Sequence, residues 1–125
     1  MKTKNQFEAE LEQLMKDAVD ASVYRPASVV QEPHTRLTQW QVHRVTTVDG
    51  FSSIHFMGYA GYEGRVCSSV QTYDPTTKRG ITKSGRIYEL IRDPGVNRDA
   101  MYVFNNWCSR FPESTIFENI THQYI

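Results

Sequence analysis

The strongest constraint on the fold comes from residues 40–58, in which two runs of β-forming residues flank Asp49 and Gly50. Asp-Gly favours a tight turn whose twist matches that of two paired strands. The segment therefore predicts an antiparallel hairpin that closes with a two-residue loop at Asp49-Gly50. This closure pairs Val48 with Phe51 and thereby fixes the register of every residue behind them.

The histidines of this hairpin bear on metal binding. The predicted register places Arg44 opposite His55 and turns His43 to the other face, so these two histidines are not expected to share a metal. No other pair of His or Cys residues has the spacing typical of zinc ligands. We therefore expect no metal and no cofactor, and structural or exposed positions for all four histidines, which also include His34 and His122.

Residues 65–90 form a second β-rich stretch. Its first part alternates with a period of two, which is typical of a half-buried strand. Asp74-Pro75 predicts a first turn, because Asp bonds the backbone ahead of it and Pro presets its own φ. Ser84-Gly85 predicts a second turn, because Gly supplies the positive φ of a tight hairpin. The stretch therefore predicts three short antiparallel strands.

The second turn suggests a site for an anion. A two-residue loop at Ser84-Gly85 places Lys83 opposite Arg86 and Ile81 opposite Tyr88. Two like charges directly opposite each other are unfavourable, so this cationic hairpin tip, formed by Lys83 and Arg86, invites an anion between them. The alternative is that both side chains extend into water at the end of a loop, as surface charges at turns commonly do.

Helical periodicity occurs at both ends of the chain. Residues 5–22 predict an amphipathic helix, which could cover the sheet or pair with its own copy in a dimer. Residues 27–38 are interpreted as a connector, residues 97–110 as a second helix, and residues 116–124 as a final edge strand or an ordered tail. The prediction is a single α+β domain, an antiparallel β-meander of about five strands with an N-terminal and a C-terminal helix.

Charge and hydropathy limit the classes of partner. Fourteen basic and fourteen acidic residues cancel over the 125 residues, which argues against direct nucleic-acid binding. The distribution is uneven, because residues 65–98 contain seven basic and three acidic residues. No apolar run has membrane-spanning length, and the N-terminus has no signal-peptide core. We expect a cytoplasmic protein without a membrane partner, and a homo-oligomer.

The candidate ligand-binding residues combine cationic, aromatic and polar side chains. Arginine suits phosphate because its planar fork offers two parallel donors, while tyrosine rings can stack on a base. The set comprises Arg79, Lys83, Ser84, Arg86, Tyr88, Tyr59, Tyr62 and Asn105. No serine or acidic residue has an evident partner for nucleophilic or acid–base chemistry, so we expect no catalytic residues and no enzymatic activity.

A family resemblance rests on the central stretch. The residues that carry it are Gly64, Val66, Ser68, Ser69, Tyr73 and Asp74, followed by Thr82, Ser84, Gly85, Arg86, Tyr88 and Leu90. This pattern resembles short proteins carried by phages and plasmids, and its second half is similar to phage sponge proteins that sequester cyclic ADP-ribose-type signals of Thoeris immunity. The match covers roughly a fifth of the chain.

The resemblance implies a non-enzymatic oligomer with a helical N-terminal part and a β-rich C-terminal part. We therefore expect an anti-defence protein of a phage or mobile element that sequesters an anionic nucleotide-type immune signal in the bacterial cytoplasm. The chain is also similar in size and class to many anti-CRISPR proteins. The alternative is thus an inhibitor that binds and occludes a host defence protein complex.

Overall fold

The computed structural model describes residues 31–125. In chain order the strands are β1 (His34–Thr46), β2 (Ser52–Tyr59), β3 (Gly64–Val66), β4 (Val70–Asp74), β5 (Arg79–Thr82), β6 (Ile87–Leu90) and β7 (Ile116–Asn119). One α-helix, α1 (Arg98–Cys108), precedes β7, and a 3-10 turn (Thr121–Gln123) follows it. None of the helices in this part of the chain is long and apolar enough to cross a membrane.

The seven strands form one mixed sheet that is organised around β1. The strand order is β3-β2-β1-β6-β5-β4, and β7 pairs with the C-terminal half of β1. The first residues of β1, 34–37, pair in parallel with β6, whereas its later residues pair antiparallel with β2 and β7. The ladder is interrupted between Thr38 and Gln41, and Gln39 has a φ of 47°. This irregularity lets one long strand belong to two halves of the sheet.

The predicted fold class is therefore wrong. The described residues form a β-rich fold with one helix and a mixed sheet, not a five-stranded antiparallel meander between two helices. The main cause is the segment 27–38, interpreted as a connector, whose last residues begin β1 and pair in parallel with β6. The predicted helix over residues 5–22 lies outside the described residues, and the one over 97–110 corresponds to α1.

The hairpin between β1 and β2 forms where Asp49-Gly50 predicts it, but its loop has three residues. The Thr47 amide donates to the Phe51 carbonyl at 2.9 Å, and the Gly50 amide donates back to the Thr47 carbonyl at 2.9 Å. Gly50 occupies the left-handed position with a φ of +87°. The register is thus one residue from the prediction, and His43, not Arg44, lies opposite His55.

The hairpin between β5 and β6 shows the same one-residue shift. The Thr82 amide donates to the Arg86 carbonyl at 3.0 Å, so that Lys83, Ser84 and Gly85 form a three-residue loop. Gly85 takes the left-handed position with a φ of +91°. Because side chains alternate between faces, the shift by one residue reverses the expected face of each paired side chain.

The buried side chains form two clusters, one on each face of β1 and β2. The inner core lies between the two halves of the sheet and contains Leu37, Trp40, Val42, Phe56, Cys67, Tyr88, Leu90 and Ile120. The outer core lies between the sheet and α1 and contains Val45, Met57, Val66, Ala100, Phe104, Trp107 and Phe111. Both faces of β2 are consequently buried.

Helix α1 is fixed at its N-terminus by a cap and by close packing. The Asn97 side chain accepts a hydrogen bond from the Ala100 amide at 3.0 Å, as expected for a helix cap. Asp99 lies in the first turn and complements the helix dipole. A Cβ atom on Gly64 of β3 would lie 2.5 Å from backbone atoms of Asp99 and Ala100. Glycine at position 64 therefore allows the helix to approach the sheet.

Candidate functional site

The predicted cationic hairpin tip does not form. The register shift leaves Lys83 in the exposed loop but turns Arg86 inward, where it is only 6% exposed. The Arg86 Nε atom donates to the Glu32 carbonyl at 3.0 Å, and its Nη1 atom lies 3.5 Å from the Tyr88 hydroxyl. Tyr88 itself belongs to the inner core. An Arg86→Ala variant would therefore lose stability, although the predicted hairpin places Arg86 at its tip.

The remaining predicted residues are distributed over several elements. Ser84 is exposed in the β5–β6 loop, and its Oγ lies 3.0 Å from the Thr82 hydroxyl. Tyr59 is half-buried at the end of β2, and Asn105 is exposed on α1. Tyr62 is exposed in the β2–β3 loop, but its hydroxyl contacts buried groups described below. The contacts of these residues do not bring them together on one surface.

A buried charge network surrounds Arg65, whose side chain is fully enclosed. Its Nη1 atom donates to the Thr35 hydroxyl at 3.1 Å, and its Nη2 atom contacts carboxylate oxygens of Glu63 at 2.6 Å and Glu32 at 3.0 Å. The Tyr62 hydroxyl lies 3.0 Å from Arg65 Nη2 and donates to Glu32 at 2.7 Å. The network joins the residues before β1 to the β2–β3 loop.

Oppositely charged groups meet within this network. Partial burial raises the pKa of Glu32, but the hydrogen bonds from Tyr62 and Arg65 outweigh this effect and hold the pKa below its ordinary value. The guanidinium of Arg65 is enclosed by protein and cannot reach a ligand in solution. We therefore assign this network to stability and not to binding.

Arg65→Ala is expected to lower the free energy of unfolding by about 3 kcal/mol, because it leaves two partly buried carboxylates without their buried counter-charge. Urea denaturation at neutral pH measures this loss. Arg98→Ala, which truncates an exposed arginine at the start of α1, is the matched control and should change stability by less than about 0.5 kcal/mol. Equal effects in the two variants would contradict the structural role of Arg65.

His43 and His55 form a buried pair beneath α1. They lie directly opposite each other on β1 and β2 and share one face, contrary to the predicted register. The His43 ring packs 4.3 Å from the Phe104 ring, and the His55 ring packs 4.8 Å from the Trp107 ring. Burial lowers the pKa of each histidine to about 4. Both rings are therefore neutral near pH 7.

The hydrogen bonds of His55 agree with a neutral, structural role. Its Nδ1 atom lies 2.9 Å from the Cys67 carbonyl, which can only accept a hydrogen bond, and its Nε2 atom lies 2.7 Å from the Ser53 hydroxyl. Residues 31–125 contain no group of three or more His, Cys, Asp or Glu side chains that could hold a metal ion. The histidine pair is best described as part of the helix–sheet packing.

A surface that can reach an anion is the outward face of β1, β6 and β5. Arg36, Glu89 and Arg79 lie in register across these three strands, one residue from each. The Glu89 Oε1 atom is 3.3 Å from Arg79 Nε, 3.9 Å from Arg36 Nε and 3.3 Å from His34 Nε2. The side chains of Arg36 and Arg79 are 72% and 50% exposed. One carboxylate oxygen thus lies near three basic groups at the surface, and of the two arginines Arg79 is the one hydrogen-bonded to it.

Arg36 and Arg79, hereafter the arginine pair, use only part of their hydrogen-bonding capacity. Each approaches Glu89 through Nε, and within the described part of the chain their terminal nitrogens have no other ion-pair or hydrogen-bond partner. The nearby Asp74 carboxylate, opposite Arg79 in register, accepts a hydrogen bond from the Thr76 amide at 2.9 Å. The terminal nitrogens are the fork that binds phosphate or carboxylate with two parallel bonds.

Only one residue of this surface, Arg79, belongs to the predicted ligand-binding set. His34, Arg36 and Glu89 were missed, because residues 34–37 alternate between exposed and buried positions in the structure while their sequence shows no alternation of polar and apolar residues. The missing information was the parallel pairing of β1 with β6, which brings these residues beside Arg79.

Comparisons of the chain with protein-family models, with curated proteins and with solved structures yield no significant match.

Proposed function

We propose that this protein acts by binding and not by turnover, and that it takes up an anionic ligand on the outward face of β1, β6 and β5. The observation that carries this proposal is the arginine pair, whose two guanidinium groups approach one Glu89 oxygen and whose terminal nitrogens have no other partner among residues 31–125. Because Arg79 Nε donates to Glu89 at 3.3 Å, the side chain of Arg79 is already held in place and loses less entropy on binding.

Phosphate is the anion that this geometry favours. Charge-assisted bonds from a guanidinium group are stronger than neutral ones and contribute about 1.5–3 kcal/mol each. Two such groups on β1 and β5, the strands on either side of β6, can hold a phosphate-bearing ligand, such as a nucleotide, without any pocket closing around it. Within the proposal, the biological role is the sequestration of a nucleotide-type immune signal by a phage or mobile element, as the family resemblance implies.

A second candidate function is the occlusion of a host defence protein. The observation that favours it is the shape of the same surface, which is a sheet face that crosses three strands and includes Ile81, a side chain that is 45% exposed. Exposed apolar side chains beside uncommitted arginines are common where proteins dock. Under this second candidate function, the acidic groups that contact the arginine pair belong to a protein partner.

Calorimetry with a panel of cyclic and ADP-ribose-type nucleotides tests the first candidate. We expect Arg79→Ala to weaken binding by about tenfold, which corresponds to about 1.4 kcal/mol and to the loss of one charge-assisted bond. Arg79→Lys should weaken it to a similar degree, because lysine keeps the charge but lacks the fork. Arg98→Ala, which removes an exposed arginine on α1, should bind like the unchanged protein.

Two results would count against nucleotide sequestration at this site. If no nucleotide gives heat, the protein-occluding function takes its place, and capture of a host defence complex by the protein, lost in Arg79→Ala, becomes its test. If Arg98→Ala weakens binding as much as Arg79→Ala, the effect is one of overall charge and the arginine pair forms no site.

A further inference from the structure

A histidine, His34, lies beside the arginine pair on the outward face of the sheet. It is the first residue of β1, and its side chain is 36% exposed. Its Nε2 atom lies 3.3 Å from Glu89 Oε1, the same carboxylate oxygen that Arg79 Nε approaches at 3.3 Å and Arg36 Nε at 3.9 Å. Any change in the charge of His34 therefore alters the charge balance around the arginine pair.

The contacts of His34 leave its ring able to gain a proton. An ionised carboxylate can only accept a hydrogen bond, so the Nε2 atom directs a hydrogen toward Glu89 whether the ring is neutral or charged. The Nδ1 atom has no hydrogen-bond partner among residues 31–125, and it can therefore take a proton from water. Histidine is the side chain that ordinarily changes its charge between about pH 5 and 8.

We propose that His34 makes the anion site dependent on pH, and that the site binds its ligand more tightly when His34 gains a proton. The inference rests on the proposed function, because it concerns the same ligand at the arginine pair. A protonated His34 forms a full ion pair with Glu89 and thereby weakens the hold of this carboxylate on Arg79. It also adds a third positive charge to the face, so both effects favour an anion.

The other charged groups around His34 keep their charges between pH 6 and 8, because carboxylates are ionised and arginines are protonated throughout this range. Among the described residues these groups are Arg36 on β1, Glu89 on β6, Arg79 on β5, Asp74 on β4 and Glu32 in the segment before β1. His43 and His55 stay neutral, because burial lowers the pKa of each to about 4. This leaves His34 and the exposed His122, which lies in the 3-10 turn after β7.

ADP-ribose is the appropriate probe, because its pyrophosphate bridge keeps its charge between pH 6 and 8. A nucleotide with a terminal phosphate would itself titrate, since the second pKa of a phosphate monoester is about 6. Titration calorimetry should show binding that is about fivefold tighter at pH 6 than at pH 8. This is the effect expected of one charge close to an anion at a water-exposed site.

Substitutions of His34 separate its charge from its contacts. His34→Gln should bind at both pH values like the unchanged protein at pH 8, because glutamine has no charge to gain. His34→Lys should bind at both pH values like the unchanged protein at pH 6. His122→Gln is the matched control and should keep the fivefold difference. In buffers of different ionisation enthalpy, the heat should reveal proton uptake on binding in the unchanged protein and in His122→Gln, but not in His34→Gln.

The outcomes distinguish this inference from the proposed function. Equal affinity at pH 6 and pH 8, in a protein whose binding Arg79→Ala still weakens, overturns the role of His34 and leaves the anion site standing. A pH dependence that persists in His34→Gln also overturns that role, because another group then takes up the proton. No heat at either pH removes the proposed function together with this inference. Thermal unfolding of each variant at both pH values verifies that the exposed substitutions leave the fold intact.

Discussion

Acidification from pH 6.5 to about pH 4 is expected to destabilise this protein by several kcal/mol through His43 and His55. Burial lowers the pKa of both histidines from 6.5 to about 4, so the folded state disfavours the proton that the unfolded chain accepts. Their contribution is fully present above pH 6.5 and is lost as the pH falls toward about 4. At 1.36 kcal/mol per pH unit, the upper limit is about 3 kcal/mol for each histidine.

Urea denaturation across this pH range measures the effect. In the unchanged protein the free energy of unfolding should fall steadily below pH 6.5, whereas His43→Gln should reduce the slope to about half, since one of two titrating groups is gone. His122→Gln, at an exposed histidine, should leave the slope unchanged. Carboxylates with lowered pKa, such as Glu32, contribute only below about pH 5, so the slopes are compared above that pH. An identical slope in all three proteins would contradict a neutral buried pair.

Gly64→Ala is expected to cost more than about 4 kcal/mol, or to prevent folding, because the added methyl group has no room. The new Cβ would lie 2.5 Å from the Ala100 nitrogen and from the Asp99 carbonyl group, which are backbone atoms at the start of α1. Backbone cannot rotate away as a flexible side chain can. The helix must shift from the sheet, which opens the outer core.

Gly95→Ala is the matched control for this substitution. Its Cβ would lie 3.6 Å from the nearest atom, Gln39 Cα, which is ordinary van der Waals contact. We expect a change in stability of less than about 0.5 kcal/mol there. Thermal unfolding followed by circular dichroism compares the two variants. If the Gly64→Ala variant is as stable as the Gly95→Ala variant, α1 does not pack on β3 as described.

The sequence located both hairpins but not their registers. A glycine that ends a tight turn serves a two-residue loop and also a three-residue loop in which it takes the left-handed position. At Gly50 and at Gly85 the protein uses the longer loop. The difference of one residue brings His43 and His55 to one face and turns Arg86 inward. Local sequence patterns predict where a turn forms more reliably than they predict which side chains face each other.

Two other features depend on contacts that the sequence order does not reveal. The parallel pairing of β1 with β6 joins segments that are far apart in the chain, and it alone brings Arg36 to Glu89. Arginine is usually an exposed residue, but Glu63 and Glu32 supply the counter-charges that permit the complete burial of Arg65. Helix α1 was predictable, because its cap and its apolar spacing are both local.

The proposed anion site lies between Arg36 and Arg79 on the outward face of the sheet. Nuclear magnetic resonance of isotope-labelled protein, titrated with ADP-ribose, tests it most directly by following the arginine Nε–H signals. We predict that the Nε–H signals of Arg36 and Arg79 and the amide of Glu89 shift together, while the buried Arg65 and Arg86 signals do not. Shifts confined to Arg65 or Arg86, or none at any arginine, would contradict the claim.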